Sequence, residues 1–256
     1  MVKESYDVIG EIAILKFGKG KVGEKKKIAR KLLKERKNIK TVLEKAEKVK
    51  GRLRTIKTRF LAGEKTTETK HRENNCMFKL DVEKCYFSPR LSNERKEVAG
   101  KIKKKDSVLV MFAGVAPFSI VIAKLSGCKK VVSVELGREC SKYAKENVKL
   151  NKVEVEVVGG DVKRVIPKFV RKKIKFDKIV MPRPQLKPSF LDLAFKVAKR
   201  NSEIYYYDFG RDVGNILEKI YRESKKTKKK ISVLKVKKAG EIAPYKFRWR
   251  VDIRVS

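Results

Sequence analysis

The sequence predicts an α/β fold in which a mostly parallel sheet follows a small α+β domain. From residue 101 onward, short apolar runs alternate with helical segments, which is the order of elements in a parallel sheet covered on both faces. This alternation stops near the C-terminus, where residues 230–237 and 246–254 have the pattern of two strands joined by a short connection. Because so short a connection permits only antiparallel pairing, we expect a hairpin at the sheet edge.

The first hundred residues lack this alternation, so the chain divides into three parts. We assign residues 1–70 to a small α+β domain, residues 71–100 to a β linker segment and residues 101–256 to the sheet domain. Apolar spacing and turn residues predict, in order, a strand over 6–17, a helix over 21–37, strands over 41–43 and 53–61, and two short strands within 70–87 that are separated by a turn at Asn74-Asn75.

The sheet domain contains five predicted parallel strands before the hairpin. These strands cover 108–111, 131–134, 153–158, 178–181 and 204–207, and helices cover 118–124, 140–150, 190–199 and 214–225. A parallel sheet with one antiparallel edge strand is a Rossmann-like architecture typical of class I methyltransferases.

Two strand ends carry the pattern of a nucleoside-binding site. The strand over 108–111 leads into a tight turn that contains Gly114, and the next strand ends at Glu135, about 20 residues later. In open α/β sheets, such a turn brings backbone N–H groups close to the ligand, and the carboxylate accepts hydrogen bonds from two ribose hydroxyls. We therefore expect a nucleoside site at the carboxyl ends of the strands.

Two later segments end at the same edge of the sheet. Asp161 follows two glycines, where it can accept a hydrogen bond from the exocyclic amine of an adenine or stabilise a turn as an Asx residue. Residues 181–184 contain two prolines, which would hold backbone carbonyls rigidly toward a reacting group or simply terminate a strand.

The composition indicates a polyanionic partner. The chain has 68 Lys and Arg residues against 30 Asp and Glu residues, a net charge of +38. A thermophile surface would be rich in both signs, whereas basic residues here exceed acidic ones more than twofold. We therefore expect nucleic acid, with an anionic membrane surface as a distant second. Arg52, Arg54 and Arg59 alternate along the strand predicted over 53–61, as RNA-contacting side chains or as a solvated strand edge.

The lack of a signal-peptide pattern and the spacing of the cysteines predict a cytoplasmic protein. The N-terminus has no signal-peptide pattern, and no apolar stretch is long enough to span a membrane. Cys76, Cys85, Cys128 and Cys140 are too widely spaced for a C-x-x-C pair, and His71 is the only histidine. We therefore expect no metal site and four free, buried thiols.

The segment 86–95, just before the sheet domain, combines aromatic residues with two arginines. Arg90 or Arg95 can neutralise a phosphate or stabilise negative charge that develops on a base. Ser92 can also cap a helix that Arg95 continues, and both interpretations can hold together.

Several of these segments resemble the archaeal and eukaryotic tRNA guanine-N1 methyltransferases. The resemblance is carried by 78–82, by Tyr86-Phe87-Ser88-Pro89-Arg90-Leu91 with Glu94-Arg95, and by 111–120, and it extends to 146–151, Asp161-Val162 and Ala243-Pro244. It implies transfer of a methyl group from S-adenosylmethionine to N1 of the guanosine 3′ of the anticodon, position 37. A sister family transfers an aminocarboxypropyl group from the same cofactor in wybutosine synthesis and ranks second.

The chain departs from the pattern of the resembling family at four places. Val110 replaces an acidic residue, Ala116 a second turn glycine, and Met181-Pro182-Arg183-Pro184 a motif that contains asparagine. A glutamate suggested as proton acceptor in relatives falls near Lys142. Val110, Ala116 and the missing asparagine motivate a third hypothesis, a catalytically silent RNA-binding protein.

We expect a monomer that binds tRNA, with Arg95, Arg90 and Asp161 as catalytic candidates and Asp208 or a water relay as further options for the proton acceptor. The residues expected to bind the cofactor are Ser88, Phe112, Gly114, Glu135, Leu136, Asp161, Val162, Met181 and Pro182. Those expected to bind RNA are Arg52, Arg54, Arg59, Arg90 and Arg183.

Overall fold

The N-terminal domain is a four-stranded sheet with one helix packed on it in the computed structural model, which describes residues 5–18, 20–46, 51, 53, 55–183 and 189–256. Its elements are β1 (Tyr6–Ile9), β2 (Ile12–Leu15), α1 (Val22–Glu35), β3 (Thr41–Lys45) and β4 (Thr58–Gly63). The strand order is β1-β2-β3-β4, with β2 and β3 parallel and the other pairs antiparallel. Leu15, Leu32 and Val42 belong to the core between helix and sheet.

Two predicted strands of this domain differ from the structure. The strand predicted over 6–17 is a hairpin, because the chain reverses at Gly10, which has φ of +56°. A Cβ atom at Gly10 would lie 2.3 Å from the Lys70 carbonyl oxygen, so only glycine fits there. The strand predicted over 53–61 begins only at Thr58.

The linker segment is a hairpin that docks on the sheet domain. The hairpin consists of β5 (Glu68–Glu73), which begins before the predicted linker boundary at residue 71, and β6 (Cys76–Asp81). A short 3-10 turn (Pro89–Leu91) and α2 (Ser92–Ala99) follow it. The predicted turn at Asn74-Asn75 is confirmed, and both asparagines have positive φ. The side-chain amide of Asn147 exchanges two hydrogen bonds with the backbone of Lys79, at 2.7 and 3.0 Å, and Asn151 does the same with Met77, at 2.7 Å each.

The C-terminal part is a seven-stranded sheet with helices on both faces. Its elements are β7 (Ser107–Met111), α3 (Pro117–Ser126), β8 (Lys130–Glu135), α4 (Arg138–Leu150), β9 (Glu156–Gly159), α5 (Val162–Arg171), β10 (Phe176–Met181), α6 (Leu191–Val197), β11 (Ala198–Gly210), α7 (Gly214–Lys226), β12 (Ile231–Ala243) and β13 (Lys246–Val255). The strand order is β12-β13-β11-β10-β7-β8-β9, and β7 to β11 are parallel. This confirms the predicted α/β sheet. None of the helices in the described ranges is both long and apolar enough to cross a membrane.

The predicted C-terminal hairpin is present, but its antiparallel strand is not the outermost one. β13 lies between β11 and β12 and pairs antiparallel with both. Val251, Ile253 and Val255 on β13 are buried, whereas most residues of β12 are exposed. The lysine-rich β12 therefore occupies the edge, where cations oppose edge-to-edge aggregation.

Helix α5 was not predicted. Val162, Val165, Ile166 and Phe169 have helical spacing and are buried on one face of the helix. Pro167 lies inside this helix and interrupts the pattern in the sequence, so the apolar spacing alone does not indicate a helix here.

Candidate active site

A pocket opens at the carboxyl ends of β7, β8 and β10, where the sequence predicted a nucleoside site. One wall is the turn after β7 with Phe112 and Gly114, and the opposite wall is the segment 86–88 of the linker. The remaining lining residues are Leu53, Leu91, Arg95, Ala113, Pro117, Phe118, Glu135, Cys140, Pro182 and Arg183.

Glu135 is fixed between two backbone turns. One carboxylate oxygen accepts a hydrogen bond from Gly114 N–H at 2.8 Å, and the other accepts from Gly137 N–H at 2.7 Å. A carboxylate has about four lone-pair sites, so acceptor capacity remains on both oxygens for ribose hydroxyls. The side chain is thus held in place by the β7 and β8 turns before any ligand arrives.

The turn after β7 has a strained backbone. Phe112, Gly114 and Ala116 all have positive φ, at 58°, 59° and 66°. For Ala116, which replaces a glycine of the resembling family, this left-handed conformation costs about 1–2 kcal/mol. The turn is nevertheless formed, and the Phe112 ring packs edge-on against Phe190 with 5.3 Å between ring centroids.

The other predicted cofactor residues have diverse positions. Ser88 and Pro182 line the pocket, and Leu136 follows Glu135 on the same turn. Met181 and Val162 are buried in the apolar core, which leaves their backbone groups for any ligand contact. Asp161 does not line the pocket, and its carboxylate caps α5 by accepting a hydrogen bond from Lys163 N–H at 3.0 Å.

Arg95 lies at the base of the pocket in a buried ion pair. Its guanidinium donates to both carboxylate oxygens of Glu73, and the two side chains are 1% and 4% exposed. One terminal nitrogen also donates to the Ser88 carbonyl at 3.0 Å, and the guanidinium stacks on Phe87 at 5.0 Å from its centroid. Arg95 therefore fixes the linker wall of the pocket.

Glu73 connects this ion pair to the N-terminal domain. Burial raises the pKa of Glu73, but hydrogen bonds from His71 and Arg95 more than offset burial, so the pKa lies below its ordinary value. His71 also accepts a hydrogen bond from Gly10 N–H at 3.1 Å through Nδ1. The pocket wall, the linker and the β1–β2 turn thus share one polar network.

The predicted RNA-binding residues are spread over two domains. Arg90 is half exposed and pairs with Asp7 of β1, with 2.6 Å between terminal nitrogen and carboxylate. Arg183 lies over the Phe112 ring at 5.9 Å, and Arg59 is exposed with a carboxylate of Glu44 3.7 Å away. The predictions for Arg52 and Arg54 lie outside the described residues, and Lys142 is exposed on α4.

Sequence reasoning missed a second buried ionic cluster, behind α2. Arg250 donates to Glu94 at 2.7 Å, to Glu97 at 2.6 Å and to Asp252 at 2.8 Å, and Tyr207 O–H donates to Glu94 at 3.0 Å. Burial raises the pKa of Glu97, but hydrogen bonds led by that from Arg250 outweigh it and hold the pKa at about 2. The partners are up to 156 residues apart, so no local pattern reveals the cluster.

Two further expectations require correction. Cys85 and Cys140 form a disulfide with 5.5 Å between Cα atoms, so only Cys76 and Cys128 are free. Spacing along the sequence could not show this, because the two cysteines are 55 residues apart and the fold brings Cys85, in the loop after β6, next to the first turn of α4. Asp208, considered as a proton acceptor, is buried and accepts from Tyr206 O–H at 3.0 Å and from Lys219.

Comparisons with known proteins agree with this architecture. A family model described as the TRM5/TYW2 methyltransferase domain matches residues 69–234, and one described as the TYW2 N-terminal domain matches residues 1–66. A Pyrococcus abyssi protein named tRNA (guanine(37)-N(1))-methyltransferase Trm5b is 38% identical to this chain, and the match covers 98% of this chain and 75% of that protein.

Two solved structures are similar over nearly the whole chain. The structure described as the complex of aTrm5 and tRNALeu has a TM-score of 0.88 and 29% identity, and the match covers 100% of this chain and 73% of that one. Methanocaldococcus jannaschii TYW2 in complex with AdoMet has a TM-score of 0.75 and 26% identity, covering 98% and 99%. The chain belongs to the TRM5/TYW2 methyltransferase family.

Proposed function

We propose that this protein is an S-adenosylmethionine-dependent tRNA methyltransferase that methylates N1 of guanosine 37. The observation that carries the proposal is the pocket that Glu135, held by Gly114 and Gly137, lines together with residues 86–88. The name of the Pyrococcus abyssi relative supports the same substrate and reaction, and the net charge of +38 supports a polyanionic substrate.

The residues of the pocket fit S-adenosylmethionine. Glu135 retains acceptor sites for ribose hydroxyls, and Gly114 leaves the turn open, with the space of a Cβ atom 3.6 Å from the Tyr86 carbonyl oxygen. Phe112 and Phe118 supply apolar surface next to these polar groups. The bound cofactor supplies a methyl group that is already activated on a sulfonium.

The chain's own residues bind and orient the substrate. The target base must leave its stack to enter the pocket, which Tyr86 and the largely buried Phe118 line with aromatic surface. Arg95 is held by Glu73 and lines the pocket, which is the position from which it would stabilise charge on the base oxygen O6. Holding the base and the methyl donor in line is the main contribution expected of such a site.

Substrate and location complete the proposal. The relative solved with tRNALeu supports tRNA as the partner of this chain. We also propose that the protein acts as a monomer, in the cytoplasm and away from membranes.

Aminocarboxypropyl transfer from the same cofactor is the second candidate. It is favoured by the match of residues 1–66 to the TYW2 N-terminal domain and by the similarity to TYW2 over 99% of that protein. Both reactions need the same ribose contacts, so Glu135 does not separate them. They differ in which carbon bonded to sulfur the substrate attacks.

Labelled cofactor distinguishes the candidates. The protein is incubated with a tRNA transcript that carries guanosine 37 and with S-adenosylmethionine labelled in the methyl group or in the carboxypropyl carbons, and the nucleosides are analysed by mass spectrometry. Methyl label on guanosine supports the proposal, whereas carboxypropyl label alone supports the second candidate. Binding of tRNA without transfer of either label contradicts methylation of guanosine 37. A transcript with adenosine at position 37 is the control.

A further inference from the structure

A second cleft lies beside the pocket, between the N-terminal domain and the C-terminal hairpin. We call it the interdomain cleft; it has a volume of about 350 Å³ and shares residues 86–88 with the pocket. Its other walls are the β1–β2 hairpin, the 3-10 turn with Arg90, the end of β11 with Phe209, and the β12–β13 edge with Arg248.

Arg248 differs from the other buried arginines described above. It is 5% exposed, yet among the described residues its guanidinium has no ion pair, and its Nε atom is buried without a hydrogen-bond partner. A terminal nitrogen makes one long hydrogen bond, to Tyr86 Oη at 3.4 Å, and the guanidinium lies 5.3 Å from the Phe209 ring centroid. Arg95 and Arg250, by contrast, each have carboxylate partners.

The acidic residues of the interdomain cleft do not supply the missing partner. Asp7 is paired with Arg90 and Lys16. Glu241 is exposed, and no ion pair joins it to Arg248 in the described part of the chain. A buried cation without an anionic partner is costly, and an anion that binds beside it reduces that cost. Arginine presents a planar fork of donors that matches the oxygens of a phosphate.

We propose that Arg248 binds a phosphodiester that flanks the target guanosine while the base occupies the adjoining pocket. This inference rests on the proposed function. The shared wall at residues 86–88 places the two sites side by side, as consecutive groups of one RNA strand require. Tyr86 and Phe209 border Arg248 and offer faces for a neighbouring base to stack on.

The experiment combines variants of the protein with neutral linkages in the RNA. Binding is measured between the full-length protein and tRNAs in which the phosphodiester 5′ or 3′ of guanosine 37 is replaced by a methylphosphonate. We expect one of the two replacements to weaken binding to the wild type by roughly tenfold to a hundredfold. Arg248→Gln should weaken binding to unmodified tRNA by a similar factor. The same variant should bind the methylphosphonate tRNA no more weakly than it binds unmodified tRNA. Arg248→Lys keeps the charge without the fork and should rescue part of the loss.

A matched control removes a cation elsewhere. Lys105 precedes β7 at the opposite end of the sheet and is exposed, so the effects of Lys105→Gln and of the methylphosphonate should add. The proposal would be overturned if the losses of tRNA affinity caused by Arg248→Gln and by the methylphosphonate added at both linkages. Unchanged tRNA binding by Arg248→Gln would overturn it as well. Calorimetry with S-adenosylmethionine shows whether each variant is folded. Because binding is measured apart from transfer, failure of methylation with intact coupling would refute the proposed function and leave the Arg248 contact standing.

Discussion

Replacing Arg95 should destabilise the folded protein. The effect of the replacement on stability therefore has to be measured before its effect on the reaction rate is interpreted. The Arg95→Met variant keeps an apolar stem between Phe87 and Phe118 but leaves the Glu73 carboxylate buried, with His71 as its remaining side-chain partner. Breaking a buried ion pair from one side typically costs about 3–5 kcal/mol. The exposed pair between Arg90 and Asp7 should contribute only about 0–1 kcal/mol, so Arg90→Met is the matched control.

The stability difference between Arg95→Met and the wild type should depend on pH, and the pKa of Glu73 determines the direction of that dependence. In the wild type the pKa of Glu73 lies below its usual 4.5, so the pair contributes fully above that value and less as pH falls below it. In Arg95→Met, burial remains without the arginine, and the pKa of Glu73 should rise. Lowering the pH from neutral toward 5 should therefore stabilise the variant relative to the wild type.

Denaturant unfolding followed by circular dichroism measures these differences, with the Glu73→Gln/Arg95→Met double variant completing the cycle. The double variant should be more stable than Arg95→Met, because no buried charge is left unpaired. Single-turnover rates are then measured under conditions in which every variant is folded. An Arg95→Met variant within about 1 kcal/mol of wild-type stability would refute the structural argument. Slow transfer by the folded variant would show that Arg95 also supports the reaction, by stabilising charge or by fixing the linker wall of the pocket.

Three shorter predictions follow from the site. Glu135→Ala should weaken S-adenosylmethionine binding by about 1–3 kcal/mol in calorimetry, and unchanged affinity would remove Glu135 from the ribose site. Because Arg250 helps to hold the pKa of Glu97 at about 2, acid titration of stability should show a loss between pH 4.5 and 2 that Glu97→Gln reduces, whereas identical profiles would contradict the pairing. The disulfide between Cys85 and Cys140 should contribute about 2–4 kcal/mol, so reductant should lower the melting temperature; alkylation of both thiols without reductant would show that the bond is absent.

The parts of the site that depend on local sequence could be predicted. Gly114 follows the apolar strand β7 and Glu135 ends the apolar strand β8, and parallel strands bring their carboxyl ends to one edge of the sheet. Neither the pairing of Arg95 with Glu73 nor that of Cys85 with Cys140 has such a local signal. Each depends on how the linker hairpin docks, through Asn147 and Asn151, on the sheet domain.

The structure shows that two of the departures from the family pattern are weaker arguments for a silent protein than the sequence alone suggests. Val110, where the resembling family has an acidic residue, is fully buried in the apolar core and does not line the pocket. Ala116 adopts the left-handed conformation that a glycine would take, at a cost of about 1–2 kcal/mol. The core thus accommodates Val110, and the backbone accommodates Ala116 in the left-handed conformation. The hydrogen bond from Gly114 N–H to Glu135 is present. The strongest sequence argument for a silent RNA-binding protein is therefore reduced to the motif that begins at Met181, whose Pro182 and Arg183 still line the pocket.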